Sequence, residues 1–447
     1  MKFKWKKTYT LIVAIVLVVL LLGAAYYIMV YRMQSEPGTT LKETNTDPVV
    51  SRNSVAFVNK ITEKYPDTFN AEDIKKIKRG NKKYIEQFAN DNTVVVPGLK
   101  ATKTLKPGET SDKESKSTGS AKNKYSIDMC TSMTPQGIAV SDKYVFISAY
   151  CHTKKHNTVI YVIDKNTHKF VKELILPEKT HAGGLAYSKK YDILWVSGSL
   201  HKRAAINGIQ INDIESYDVN KGKPIEYCNQ IRLKYLETAS FICCDEHVIE
   251  SLPEGFPKSI SNIYAGYFKT NGHSYFRIYA DMDYIKLINA IRDTKFDNEG
   301  NIISYGKARN DIKDFRGQNV VDSAKPYYDE PFGEGDVGKK IQGLAFIRSE
   351  YGMGALVSRS YGPNKSKLYA FKNIPYYNQT DVINMNDDMI SFEMILPPKL
   401  EQVTAEKKDN KLRTYMLFES GAYAYRARGF INVDRVLIKD MNTDWII

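Results

Sequence analysis

Gln136-Gly137-Ile138-Ala139-Val140 returns as Gly183-Gly184-Leu185-Ala186-Tyr187 and again as Gln342-Gly343-Leu344-Ala345-Phe346. Each copy is followed by a second apolar run: Tyr144 to Ala149, Ile193 to Ser197 and Ala355 to Ser358. A third run comes next: Val159 to Asp164, a degraded Ile214 to Asp218, and Lys367 to Phe371. Two units then close on a strand ending in proline, Leu174-Ile175-Leu176-Pro177 and Met394-Ile395-Leu396-Pro397. Short runs rich in Tyr, Val, Ile and Phe, punctuated by Gly, Asn and Asp, are the signature of β-structure. Four strands followed by the next copy is the organisation of a propeller blade.

Two weaker copies complete the set. Ser240 to Cys244 with Asn262 to Lys269 and Tyr275 to Ala280 forms a third unit, and Gln402 to Ala405 with Tyr415 to Ser420 and Arg435 to Lys439 a fifth. With Gly137, Gly184, Ser240, Gly343 and Val403 as equivalents, the steps are 47, 56, 103 and 60 residues. The long step is two blades or one blade with an insertion. Tyr284, Ile285, Leu287, Ile288 and Ile291 have helical spacing, and 317–340 is rich in Gly, Asp, Glu and Pro, so an insertion over about 283–340 is expected. The expectation is an all-β, five-bladed β-propeller over 125–447, with six blades as the alternative. An open ring leaves unpaired strand edges at its seam; Tyr125 to Cys130 is expected to pair near Arg435 to Lys439 and close it.

This pattern resembles the bacterial extracytoplasmic β-propellers of the YVTN and NHL kind, and distantly the five-bladed glutaminyl cyclotransferases. In the latter, a Glu near the second strand of a blade and a ring of aromatics form the site. The matching position here is Glu419 in Phe418-Glu419-Ser420, whereas Ile147-Ser148-Ala149 of the first unit carries no carboxylate.

The 447 residues carry 64 Lys and Arg against 51 Asp and Glu, with 43% apolar residues, which excludes a disordered or fibrous chain. Leu11 to Val30 has no charged residue, long enough to cross a hydrocarbon core of about 30 Å. Lys2, Lys4, Lys6 and Lys7 precede it and only Arg32 follows directly, so residues 1–10 read as a cytoplasmic basic tail and 11–31 as a transmembrane signal anchor. A cleaved signal ending at Gly23-Ala24-Ala25 is the competing reading. The expected location is the cell membrane, single-pass, with the C-terminal domain extracellular.

Residues 32–100 read as a stalk with a helical segment capped at Asn70, packing on the main domain or on a partner. Residues 101–124 read as a flexible linker. The five basic and no acidic residues of 1–33 leave +8 of the net +13 to the rest of the chain. That excess suits an anionic envelope polymer or a membrane surface. Glycans and envelope proteins are the other partner classes, and no nucleic-acid module occurs.

Gln136, Gln342 and Gln402 precede or begin the innermost strands, and His181 lies at the same level, which with Glu419 makes five candidates for the channel mouth. A ring of amides serves either a sugar or peptide ligand or the loop backbone. No G-x-S-x-G, H-E-x-x-H, P-loop or dinucleotide motif occurs. Cys130 with Cys151 is the disulfide candidate among five cysteines, whereas Cys243 and Cys244 alternate across a strand. Cys151, His152 and His156 are zinc-ligand types, but a ligand set is not legible; no metal and no cofactor are expected. The function expected is a binding or scaffolding module for envelope glycans or partner proteins. The alternative is an enzyme, a hydrolase, lyase or glutaminyl cyclotransferase-like protein, with its site at the channel mouth.

Overall fold

The computed structural model describes residues 13–25, 41–107, 125–248, 256–299, 302–304, 306, 313, 325–349, 352–375, 382–408, 410–426 and 431–446. Five antiparallel sheets follow one another along the chain. Blade 1 is Met133–Val140, Tyr144–Cys151, Val159–Asp164 and Phe170–Ile175; blade 2 is Leu185–Ser188, Ile193–Leu200, Arg203–Gln210 and Asn229–Arg232. Blade 3 is built on Phe241–Val248, Ser259–Tyr267, Ser274–Asp281 and Tyr327–Gly338, with Val382–Asn384 added in parallel at its edge. Blade 4 is Ile341–Ser349, Gly352–Arg359, Ser366–Ile374 and Ile390–Leu396, and blade 5 is Leu400–Lys408, Lys411–Phe418 and Arg435–Asn442. The first strand of each blade touches the first strands of the blades on either side, round the ring and from blade 5 back to blade 1. The chain is a five-bladed propeller.

Because each sheet has a neighbour on both faces, its middle strands are largely apolar. Val145, Phe146, Ile147 and Ala149 are all fully buried. The repeated glycine has a more specific cause. A Cβ on Gly137 would meet the Leu185 amide nitrogen at 2.9 Å; on Gly184, the Phe241 Cα at 2.8 Å; on Gly343, the Gln402 Cα at 2.8 Å. In blades 1, 2 and 4 the inner strand therefore runs backbone to backbone against the next blade, and only glycine fits. A serine on the second strand completes the motif: Ser148 and Ser197 each accept from the repeated glycine's N–H at 2.8 Å, and Ser358 donates to Glu401 O at 2.6 Å.

The ring is closed by an N-terminal strand, but not by Tyr125–Cys130. Thr93–Val95 pairs with blade 5 through Thr93↔Leu437, Val94↔Val436 and Val95↔Arg435. Tyr125–Cys130 instead pairs with Thr102–Pro107 in a separate hairpin. The first seven residues of the expected linker are thus ordered, for a polar reason. Buried Thr102 donates to Gly98 O at 2.9 Å and lies 2.6 Å from the Tyr161 hydroxyl, while Thr104 donates to Asn157 O at 3.0 Å. Residues 108–124 lie outside the described residues.

Three helices, Ser54–Lys64, Ala71–Arg79 and Lys82–Asn92, pack on the propeller. Phe57, Ile61, Ile85 and Phe88 share one apolar cluster with Leu396, Leu400, Leu412 and Leu437 of blades 4 and 5. Asn53 caps the first helix through the Val55 and Ala56 amides and Asn81 the third through Tyr84. Asn70 occupies the cap position of the second helix without a side-chain hydrogen bond. The polar anchor of this unit is a buried ion pair: Arg435 Nη1 donates to Asp434 at 2.6 Å and Nη2 to Ser51 O at 2.8 Å, its guanidinium lying 4.3 Å above the Phe57 ring. Asp434 also accepts from the Val50 amide at 2.7 Å.

Two further expectations are corrected. Ile214–Asp218 is not the third strand of blade 2; that strand is Arg203–Gln210, and Ile211–Ser216 is a short helix following it. In the long third unit, Met282–Arg292 is the expected helix, but Tyr327–Gly338 is a strand of 12 residues paired with Ser274–Asp281, so the insertion ends before 327. Its acidic, glycine-rich composition resembles a loop because the inward positions carry Gly333 and Gly335, the latter directly beneath the Phe276 ring. Of the apolar Leu11 to Val30 stretch, residues 13–25 are helical with exposed side chains, and the rest lies outside the described residues. Among the described residues no helix is long and apolar enough to cross a membrane.

Candidate functional site at the channel mouth

The amide of Gln402 settles how the channel is filled. Its Oε1 accepts from the Ile138 amide at 2.9 Å and the Leu185 amide at 2.8 Å; its Nε2 donates to Leu185 O at 2.7 Å and Ile242 O at 2.9 Å. One buried side chain from blade 5 thus satisfies backbone groups of blades 1, 2 and 3. With all four hydrogen-bonding places used, Gln402 fastens the inner strands together and has none left for a ligand.

Glu401 and Glu419, one residue before Gln402 and one after strand Lys411–Phe418, stand near the seam between blades 5 and 1. Glu419 accepts from Lys399 Nζ at 2.9 Å and from Gln136 Nε2 at 3.1 Å, the latter amide also donating to Pro135 O at 2.8 Å. Lys399 follows Pro397-Pro398 in a left-handed backbone conformation (φ 66°) and holds its ammonium 3.5 Å from the Tyr425 ring centroid. Such a conformation costs a residue with a side chain about 1–2 kcal/mol, offset here by an ion pair and a cation–π contact. Tyr425 belongs to the turn of helix Tyr423–Arg426. Across from it, the Tyr150 ring lies 4.1 Å from the His181 ring and its hydroxyl 3.3 Å from His152 Nδ1, and His152 meets Tyr425 edge-on at 5.7 Å.

Burial governs the protonation of this group. Glu401 is 5% exposed, and burial, reinforced by the nearby Glu419 charge and only partly relieved by Lys399, holds its pKa well above the usual carboxylate range. Burial also raises Glu419, while Lys399, Gln136 and Tyr425 pull it back. Tyr150 is pushed up to about 12, first by burial and then by Glu419. His181 keeps access to solvent at the rim but sits deep enough among protein atoms that desolvation, followed by Lys154 and His152, lowers its pKa to about 4. Burial thus favours the protonated form of Glu401 beneath the mouth, while Lys399, Gln136 and Tyr425 favour the carboxylate at Glu419; the rim itself offers two tyrosine hydroxyls and an imidazole whose charged form is disfavoured.

Of the expected mouth residues, Gln136, Glu419 and, through Tyr150, His181 come together. Gln402 lies below them as a structural fastener, and Gln342, half-buried on the inner strand of blade 4, makes none of these contacts. Sequence reasoning passed over Tyr150, Lys399, Glu401 and Tyr425. The usable signal was adjacency: Glu401 directly precedes a residue already singled out, and Lys399 follows a proline pair. Cys130 and Cys151 are brought together as free thiols. Cys243 and Cys244 face different blade interfaces. A groove of 830 Å³ lined by Lys103, His168, Lys172 and Glu173 lies away from the mouth, against the outer strand of blade 1.

No family model matches the chain, and no curated protein matches its sequence. Solved structures do. A Bombyx mori GH32 β-fructofuranosidase in complex with sucrose is 9% identical, covering 70% of this chain and 60% of that one, with a TM-score of 0.36. A nidogen/laminin complex is 10% identical, covering 78% and 96% at a TM-score of 0.29, and the extracellular domains 1-2 of Drosophila semaphorin 1a are 10% identical, covering 68% and 64% at 0.30. The Dos1 propeller is 11% identical, and the chain spans 53% of its length. A hydrolase and binding domains stand side by side among these neighbours, at identities that carry no function across.

Proposed function

We propose that this chain is a membrane-tethered, extracellular propeller that binds a neutral polar ligand, envelope glycan hydroxyls or peptide amides, at the mouth formed by blades 5 and 1. The observation that carries this reading is the buried Glu401 carboxyl beside the Lys399–Glu419 pair. A neutral carboxyl donates one hydrogen bond and accepts others, while the paired charges are already satisfied. Tyr150 and Tyr425 supply apolar faces with polar tips of the kind that stack on sugars and peptides. The tether rests on the uncharged Leu11 to Val30 stretch and the lysines before it.

A second reading, a propeller enzyme of the hydrolase, lyase or cyclotransferase type, is favoured by one observation. A protonated Glu401 next to Glu419 is the arrangement that general acid chemistry uses. Ligand-observed NMR against neutral oligosaccharides, peptidoglycan fragments and glutaminyl peptides separates the two. Binding of at least one class is expected, weakened about tenfold or more in Tyr425→Ala, in line with the 1–3 kcal/mol that a stacked aromatic contributes. Turnover that falls at least a hundredfold in Glu401→Gln while binding persists would establish the enzyme reading. Absence of binding by every class, or binding indifferent to Tyr425→Ala and Lys399→Met, would remove the mouth as the site.

A further inference from the structure

We propose that Cys130, Cys151 and His156 form a binding site for one divalent cation of the zinc class, with Asp128 orienting the histidine. The three residues come from three places: the end of strand Tyr125–Cys130, the end of strand Tyr144–Cys151, and the loop before Val159. Their ligand atoms all lie within 4.8 Å of one another. Cys151 Sγ is 3.4 Å from His156 Nδ1. A tetrahedral zinc ion, with bonds of about 2.3 Å to sulfur and 2.0–2.1 Å to nitrogen, places those two atoms roughly 3.5 Å apart. The donor set is therefore already spaced for the ion.

The surroundings supply the supporting contacts such a site requires. His156 Nε2 lies 3.1 Å from Asp128 Oδ2, so the carboxylate takes the Nε2–H and leaves the Nδ1 lone pair facing the sulfurs. Ser132 Oγ is 3.6 Å from Cys130 Sγ and 3.5 Å from Cys151 Sγ, and Thr153 Oγ1 is 3.2 Å from Cys151 Sγ, giving hydroxyl donors to thiolates. Both cysteines are buried, and the His156 side chain is 12% exposed, which leaves a narrow entry on the imidazole side. A disulfide between the cysteines would leave the imidazole and its carboxylate without a role. The metal uses all four residues and pins the hairpin of Thr102–Pro107 and Tyr125–Cys130 to blade 1, with a fourth coordination place for water.

The test uses the full chain, purified in detergent without chelator or reductant. Metal analysis is expected to find about one zinc per chain, and cobalt substitution to give the thiolate charge-transfer bands of a tetrahedral site. Cys228→Ser should leave both unchanged, and Cys151→Ser should abolish both. Asp128→Asn, which preserves shape, should weaken zinc affinity about 10–100-fold. Loss of two hydrogens in the intact mass, locating a Cys130–Cys151 disulfide, would overturn the proposal. So would free, alkylatable thiols that retain no zinc at micromolar concentration. Unchanged affinity in Asp128→Asn would remove the orienting role.

Discussion

Replacing Asp434 by Ala is expected to destabilise the protein by about 3–5 kcal/mol, the cost of leaving one member of a buried ion pair without its counter-charge. Arg435 is 1% exposed and has Asp434 as its anionic partner, so it would be stranded in the interior. The same substitution removes the acceptor of the Val50 amide and frees the segment leading into helix Ser54–Lys64. Because Arg435 lies in the strand that pairs with Thr93–Val95, the closing strand is expected to loosen with it. Urea unfolding followed by circular dichroism should show the midpoint displaced strongly to lower denaturant. Limited proteolysis should begin between 41 and 92. Retention of wild-type stability would mean that the helical unit is not held by this pair.

Gly184→Ala ranks second, at roughly 3 kcal/mol, the upper part of the range for overpacking in a close-packed interior. The added carbon would meet the Phe241 Cα at 2.8 Å and also press on the Ile242 amide, and neither backbone can yield without separating blades 2 and 3. It would also disturb the Gly184 N–H to Ser197 Oγ hydrogen bond of 2.8 Å. Gly198→Ala in the same blade is the internal control. Its Cβ would meet only the side-chain amide of Asn207 closer than 3.8 Å, and a side chain can rotate away. Its loss should be well under half that of Gly184→Ala in the same urea titration. Equal losses would show that the repeated glycine is not set by the approach of neighbouring blades.

The strand repeat was legible because it is physical: a glycine where backbones touch, then a serine that ties the glycine to its neighbouring strand. Blades 1 and 4, whose four strands each show as apolar runs, match the sequence pattern nearly strand for strand, and the helical insertion after Asp281 is visible in its periodicity. Three features escaped. Thr93–Val95 is too short to show a period, and its role is fixed by what it pairs with 340 or more residues later. Thr102–Pro107 hides in lysine- and threonine-rich sequence because Leu105 is its one apolar core residue and the rest of its burial is hydrogen-bonded through Thr102 and Thr104. Tyr327–Gly338 carries glycines inward to make room for Phe276. At the mouth, residue types point to Glu419 and Gln136; Lys399, Glu401 and Tyr425 join Glu419 from the turns and inner strand of the same blade 5, whereas Gln136 and Tyr150 of blade 1 reach them because the ring brings the first and last blades together.

A protonated Glu401 at neutral pH underlies both readings of the mouth, and its carboxyl stretch in the infrared measures it directly. The wild-type protein is expected to show a protonated-carboxyl band at pH 7 that is absent from Glu401→Gln. The unfolded chain releases this proton near 4.5, whereas the folded chain holds it to a higher pH. As the pH rises above that value, wild-type stability should therefore decline relative to Glu401→Gln, which has no proton to retain. No such band at pH 7, together with a stability difference that does not change between pH 4 and pH 8, would contradict the account.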